Sequence, residues 1–474
     1  MNFKEFVSKS KSMIVAPAGY GKTHAIALCL SHTKGKQLIL THTNAGVASL
    51  NEKIKQQDVN RNNYHVETIT GFAQKYVNAF YCGNDIPEQE VNGYFPFIIE
   101  QAKNILKINP IKDVIKSSYN GLFVDEYQDC IIDQHNFIKT LGEILPTHIL
   151  GDPLQGIFDF NGETLVNFDK DLDDFEKFPD LTEPWRWKTD NPGLGESLKQ
   201  IRTLLEEKRN IDLNLFNSYI EILLVSENDK YILGTDYNKK IWNLIQDDNV
   251  LIIHPESPNK NARKKFVSLF KNKYFLVEAI DDKDFYKFSK VFDKMNVNNF
   301  YNILYKLIPK LFNGETSRNN WFNKDGVKRK RSESDRKLVL PLVECIKKVK
   351  QRTSFLLISE ILKKLEKLPG IECYRRELIW NLCKALEQSE YKGISVYQAM
   401  KEIRNIKRRI GRKIRGRCIG TTLLTKGLEF DTVAVLDAHK FKCPKNFYVA
   451  ITRASKKLII FTNNKVLSPY KEEN

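Results

Sequence analysis

The stretch SMIVAPAGYGKTHA, residues 12–25, constrains the fold of this chain more than any other. A short apolar run leads into a loop with glycines at 19 and 21, and a lysine–threonine pair then opens a helix. Glycines let successive backbone N–H groups turn inward, and the amino terminus of a helix adds a favourable dipole, so a loop of this kind suits phosphate. The strand before it must be buried in a parallel sheet, which predicts a doubly wound α/β fold with function at the carboxyl ends of its strands. Alanine stands at 16, where the pattern G-x-x-x-x-G-K-[ST] has its first glycine. Ala16 can serve there if its φ is negative, because Gly19 and Gly21 hold the positions that need conformational freedom. Ala16, Pro17, Ala18, Gly19, Tyr20, Gly21, Lys22 and Thr23 are therefore the candidate phosphate cradle. In it Lys22 would reach the β- and γ-phosphates of a nucleotide, and the Thr23 hydroxyl would ligate Mg²⁺.

Other apolar runs are too short for helices and end in small or polar residues, as strands of a parallel sheet do. QLILTHT (37–43), LFVDE (122–126) and HILGD (148–152) accompany the first run. NVLIIHPE (249–256), RCIGTTLL (417–424), DTVAVLDA (431–438) and KLIIFTN (457–463) predict a second sheet. From 257 to 416 helical periodicity and basic residues dominate, and KRKRSESDRK (328–337) reads as an exposed loop. The expected organisation is a sheet domain over 1–190 with a small insertion about 73–118. A second sheet domain follows over 191–312 and 417–474, interrupted by a mainly helical basic insertion over 313–416.

LFVDEYQD gives the loop its counterpart. Asp125 and Glu126 end a strand about a hundred residues downstream of Lys22, where one carboxylate can ligate Mg²⁺ and the other can orient an attacking water. The chain carries a formal net charge of +17, yet its first 190 residues hold 19 Lys and Arg against 25 Asp and Glu. The positive charge thus belongs to the later part, which suggests a polyanionic partner held mainly there. KEIRNIKRRIGRKIRGR (401–417), with nine basic residues and one acidic, is a candidate for phosphate contact. The eight cysteines form no C-x-x-C, so reduced thiols are expected rather than a zinc or iron–sulfur site. No run of eighteen apolar residues occurs, and MNFKEFVSKSKSMIV lacks the apolar core of a secretory signal. The expectation is a cytoplasmic protein with no membrane partner.

Taken in order, these motifs resemble the superfamily 1 helicases of the UvrD/Rep/PcrA type. APAGYGKT is similar to that family's AGAGSGKT, THTNAGV (41–47) to TFTNKAA, and TITGF (68–72) to TFHGF. GDPLQGIFDFNG (151–162) is similar to GDxxQSIYxFRG, LTEPWRW (181–187) to LxxNYRS, TKGLEFDTV (425–433) to AKGLEFDxV, and YVAITRASKKLII (448–460) to YVAxTRAxxxL. The resemblance implies two RecA-like P-loop NTPase domains that close around ATP and Mg²⁺. It implies Gln155 as γ-phosphate sensor, Gln128 and Asp129 as coupling residues, and Arg186 and Arg453 as arginine fingers. Glu429 would face the ribose. His42, Thr43, Thr68, Phe72, Phe158, Phe160 and Lys426 would meet DNA, with Trp185 and Trp187 open between DNA and core. The implied activity is ATP-dependent 3′→5′ translocation on single-stranded or 3′-tailed DNA.

The chain departs from that pattern at several strand-contact and coupling positions. His42 replaces an aromatic, Ala45 a lysine, Asn161 an arginine and Leu423 a histidine, and no clear glutamine motif reads adenine. Both insertions are short. The reduced form resembles the UvrD-like component of Gabija-type anti-phage systems, which implies an OLD-family nuclease partner with a TOPRIM domain. A DNA-stimulated NTPase switch that regulates such a nuclease without productive unwinding is the alternative. Strand displacement from a 3′-tailed duplex separates the two. A plain nucleotide-binding module would show no response of hydrolysis to single-stranded DNA.

Overall fold

The computed structural model describes residues 2–87, 93–157, 164–255, 260–271, 273–277, 283–313, 319–410, 414 and 416–470. It contains two parallel sheets of six strands with flanking helices. The chain divides into two compact units. Met1–Glu227, Arg409–Ile414 and Thr425–Asn474 form the first, and Asn228–Arg408 and Arg415–Leu424 the second.

The first sheet lies wholly in the first unit. Its strands are β1 (Lys11–Val15), β2 (Gln37–Thr41), β3 (Tyr64–Thr68), β4 (Gly121–Val124), β5 (Thr147–Gly151) and β6 (Glu176–Phe178), in the order β3-β2-β4-β5-β1-β6. All pairings are parallel, and Val15 lies opposite Gly151, Leu40 opposite Val124 and Val124 opposite Ile149. The strands therefore run out nearly level, and the loops that follow β1, β2, β4 and β5 emerge along one edge. That edge is where an open α/β sheet binds its ligand.

Side-chain alternation shows why this sheet is buried on both faces. Ile14, Ile39, Phe123 and Leu150 pack into one core with Phe6, Ile26 and Leu50. Their immediate neighbours Met13, Leu38, Leu40, Leu122, Val124 and Ile149 pack into another with Phe72, Val77 and Ile138. Continuous apolar strands are what a two-faced parallel sheet requires. The region expected as a small insertion is helical, with Ile69–Phe80, Tyr94–Ile105 and Asn109–Ser118.

The first unit also holds strand Ala454–Thr462, which pairs in parallel with Ile220–Leu224 and with Phe430–Val435. In the second unit Arg417–Gly420 pairs in parallel with Val250–Ile253 and Phe275–Leu276. Helices Phe300–Leu311, Glu333–Gln351, Phe355–Leu365, Arg376–Lys392 and Val396–Ile410 share an apolar core with Phe285, Leu304, Leu342, Ile358, Leu382 and Val396 among its members. The run RCIGTTLL is not one strand. It ends at Gly420, and Thr422–Thr425 forms a helical turn. Among the described residues every cysteine is a free thiol, and no helix is long and apolar enough to cross a membrane.

Candidate active site

The loop after β1 is shaped by its glycines. Gly19 and Gly21 have φ of +77° and +84°. A Cβ on Gly19 would stand 2.7 Å from the Trp187 ring, so that position needs glycine for space as well as for backbone conformation. Ala16 is absent from the residues with positive φ, and its N–H donates to the Gly151 carbonyl at 2.8 Å, so its methyl is accommodated. Gly21 caps the helix Lys22–Leu30, whose first residue turns its ammonium inward.

The acidic pair meets that ammonium. The Asp125 N–H donates to the Leu40 carbonyl at 2.8 Å, extending β4 by one residue. Glu126 then takes a left-handed φ of +57°, a conformation that costs a non-glycine residue about 1–2 kcal/mol. The Lys22 Nζ donates to Glu126 Oε2 at 2.8 Å, and the Gln128 side-chain amide donates to the same oxygen. Gln128 Oε1 in turn accepts from the Asp152 N–H at 2.8 Å, tying the ends of β4 and β5 together. Lys426 donates to Asp129 and to the Gln155 carbonyl.

Two cations thus face three acids in a largely buried site. Burial and the neighbouring Glu126 push Asp125 above the carboxylate range, against the pull of Lys22. Burial would raise Glu126 too, but Lys22 and Lys426 outweigh it and hold its carboxyl low. Burial lifts Asp129 to about 7 although Lys426 opposes it. His42 is pushed down to about 3 by burial and then by Lys426, so it is a neutral imidazole, with Nε2 3.3 Å from the Cys130 thiol.

A cavity of about 560 Å³ opens over these groups. Pro17, Ala18, Gly19, Gly21, Lys22, Thr23, His42, Thr43, Asp125, Glu126, Gln155, Arg186, Lys426, Glu429 and Arg453 all line it. Arg186 donates to the Thr452 carbonyl and to Glu429. Arg453 donates to the Val449 carbonyl at 2.9 Å, and its Nη2 stands 3.5 Å from Gln155 Oε1. The Thr41 hydroxyl, buried at the wall, has no hydrogen-bond partner among the described residues, which suits a polar atom kept for a ligand. Thr23 and Asp125 offer hard oxygen donors for a divalent cation. Among the described residues no group of three or more His, Cys, Asp and Glu could hold a metal, so Mg²⁺ here would draw its remaining ligands from phosphate and water.

Ala16, Tyr20 and Gln128 are buried supports behind this cavity rather than part of its lining. Four residues expected at a nucleic-acid strand make contacts within the chain. Phe72 is a core side chain, fully buried with its ring against Tyr76 and Tyr119, because the helix Ile69–Phe80 turns its apolar stripe inward. Thr43 and Thr68 cap helices, each hydroxyl accepting from a backbone N–H at 3.0 Å (those of Gly46 and Gly71). Lys426 is drawn into the cavity by Asp129. Phe158, Phe160 and Asn161 lie outside the described residues, as do 411–413 and 415 of the basic segment. Within that segment Arg404 is no surface cation. It is fully buried, over the Phe285 ring at 4.0 Å and bonded to Glu377.

The tryptophans separate. Trp187 is buried with its indole N–H on the Ala454 carbonyl at 2.7 Å, whereas Trp185 is 52% exposed and stands at the cavity rim beside Gly21. Sequence reasoning missed Lys53, which lines the cavity from the last turn of helix Asn44–Lys55 and whose charge acts on Asp125 and Glu429. Its signal was its place one helix length beyond the end of β2.

A level-ended parallel sheet, a glycine loop delivering a lysine, and an acidic pair at the end of the next strand but one define a P-loop NTPase fold. Residues 88–176 match the model of the UvrD/REP helicase N-terminal domain. The chain is 29% identical over 107 residues to the RecBCD enzyme subunit RecB of Buchnera aphidicola subsp. Schizaphis graminum (strain Sg), covering 20% of this chain and 9% of that protein. It is 32% identical over 122 residues to the Gabija protein GajB of Bacillus cereus (strain VD045), covering 24% of each. The matched part thus spans a quarter or less of those relatives. A solved complex of arterivirus nonstructural protein 10 (helicase) with DNA aligns over 97% of this chain and 62% of that one, at 10% identity and a TM-score of 0.35.

Proposed function

We propose that this chain is an ATP-dependent, UvrD-like motor that hydrolyses nucleotide to move 3′→5′ on single-stranded DNA. The observation that carries the reading is the convergence of Lys22, Glu126, Gln155 and Arg453 on one cavity, with Lys22 and Glu126 2.8 Å apart. Lys22 exchanges Glu126 for the β- and γ-phosphates when nucleotide enters. Freed of that partner, Glu126 orients the attacking water. Arg453, Arg186 and Gln155 stabilise the charge that spreads over the transferring phosphoryl group. Thr23 and Asp125 hold Mg²⁺, which supplies charge neutralisation when bound. Trp185 offers a π-face at the rim for the base, a stacking contribution of about 1–3 kcal/mol. The similarity to RecB and to a Gabija protein supports a helicase-type activity; a cytoplasmic setting and a nuclease partner of the OLD/TOPRIM class complete the proposal.

A second reading is an NTPase switch that responds to DNA and controls such a nuclease without unwinding. It is favoured by Lys426, a residue of the strand-contact motifs that is spent inside the cavity on Asp129. Displacement of a labelled strand from 3′-tailed and 5′-tailed duplexes tests the motor. Unwinding of the 3′-tailed substrate alone is expected. Hydrolysis stimulated by single strands, with no displacement of either substrate, would replace the motor by the switch.

A further inference from the structure

Behind the cavity, and outside every motif discussed so far, a buried arginine ties three of its walls together. Arg202 lies on helix Pro192–Glu206 and is 7% exposed. Its Nη1 donates to Asp152 Oδ1 at 2.8 Å and to the Tyr448 hydroxyl at 3.1 Å, and its Nη2 pairs with Glu206 at 2.9 Å. Asp152 is fully buried, and each of its oxygens is committed. Oδ1 accepts from Arg202 and from the Leu154 N–H at 3.2 Å. Oδ2 accepts from the Gln155 amide at 2.7 Å and from the Ala18 N–H at 3.2 Å. Tyr448 belongs to helix Pro444–Ile451, whose last residue lies two positions before Arg453.

The structure assigns Arg202 as the positioning residue of this site, acting through Asp152 on Gln155 and the glycine loop and through Tyr448 on the helix that presents Arg453. The claim rests on the nucleotide-hydrolysis reading above and deepens it. The chemistry is one of orientation. A side-chain amide has a donor end and an acceptor end. The Asp152 carboxylate takes the donor end of Gln155, so Oε1 is left facing Arg453 and the cavity. The carboxylate can do this only while it keeps that orientation, and the buried guanidinium bonded to its other oxygen holds it there. Without Arg202, the buried carboxylate loses its hydrogen-bonded guanidinium and can swing away, which lets the Gln155 amide turn over and frees the Ala18 N–H. Arg202 touches no reacting atom, so its loss should act on turnover and spare nucleotide affinity.

Arg202→Met, Arg202→Lys, Asp152→Asn and the double variant Arg202→Met/Asp152→Asn test this by steady-state ATP hydrolysis, with thermal unfolding of each. Arg202→Met should lower kcat about 100-fold with KM for ATP within about threefold, the scale set by a small misplacement of catalytic groups. Arg202→Lys should recover most of the loss, and the double variant should be no worse than Asp152→Asn alone. Selective ¹⁵N-glutamine labelling reads the Gln155 amide without hydrolysis, and Arg202→Met should shift that signal. An unaltered chain that hydrolyses no nucleotide would sink the hydrolysis reading, while the amide signal would still decide the role of Arg202. Additive losses in the double variant, an Arg202→Lys as impaired as Arg202→Met, or an unmoved Gln155 amide would overturn the assignment.

Discussion

Glu126 and Asp437 occupy the same kind of place in the chain and do different work. Glu126 follows β4 and Asp437 follows the strand Phe430–Val435. Each has a left-handed φ, +57° and +46°, and each opens a single 3₁₀ turn, Tyr127–Asp129 and Ala438–Lys440. Their partners separate them. Glu126 is met by Lys22 from the glycine loop and lines the cavity. Asp437 is 1% exposed and pairs at 3.4 Å with Lys440, three residues on, which also holds Glu227 at 2.6 Å. The strained strand end is therefore a backbone device that presents a carboxylate, and a lysine from another loop is what turns the carboxylate into a site.

The largest effect expected of this comparison is at the lysine. Lys22→Ala should lower hydrolysis by at least about 1,000-fold, and Glu126→Gln by about 100- to 1,000-fold with nucleotide still bound, both measured by phosphate release and by binding of a fluorescent ATP analogue. Normal turnover in Glu126→Gln would show that the base lies elsewhere. Asp437→Asn should leave kcat within about twofold, because asparagine tolerates the same φ, and should only lower Tm by a few degrees. Loss of hydrolysis with an intact Tm would break the contrast.

The smallest effect lies in the acid range. Lys22 and Lys426 hold Glu126 below its ordinary value, so the stabilisation it gives is present above about pH 4.5 and is lost as pH falls through the lowered value. Tm followed downward from pH 5 should fall less steeply in Glu126→Gln than in the unaltered chain. Parallel slopes would mean that the pair with Lys22 adds nothing to folding.

Much of this was legible in the residues, for reasons the contrast makes plain. β1, β2, β4 and β5 are continuous apolar runs because both faces of the sheet are buried, and such runs stand out in a sequence. β3 and β6 do not. YHVET alternates, with His65 and Glu67 between its buried residues, and EKF buries one residue of three, so neither edge strand shows the continuous apolar run that marks the inner ones. The residues of the loop that lines the cavity were legible because a phosphate loop needs glycine, lysine and threonine at fixed spacing. The strand-contact residues were carried over from a resemblance, and no spacing rule protects them. Phe72 and Lys426 were claimed by the core and by Asp129. Arg202 was hidden because the partners that tie it to the cavity lie 50 and 246 residues away, and its local partner Glu206 makes only an ordinary pair one helical turn on.

Hydrolysis of MgATP by the purified chain, with and without single-stranded DNA and beside Glu126→Gln, tests the central claim most directly. The account predicts turnover that rises severalfold with the strand and disappears in the variant. Turnover indifferent to the strand, or equal in the variant, would contradict it.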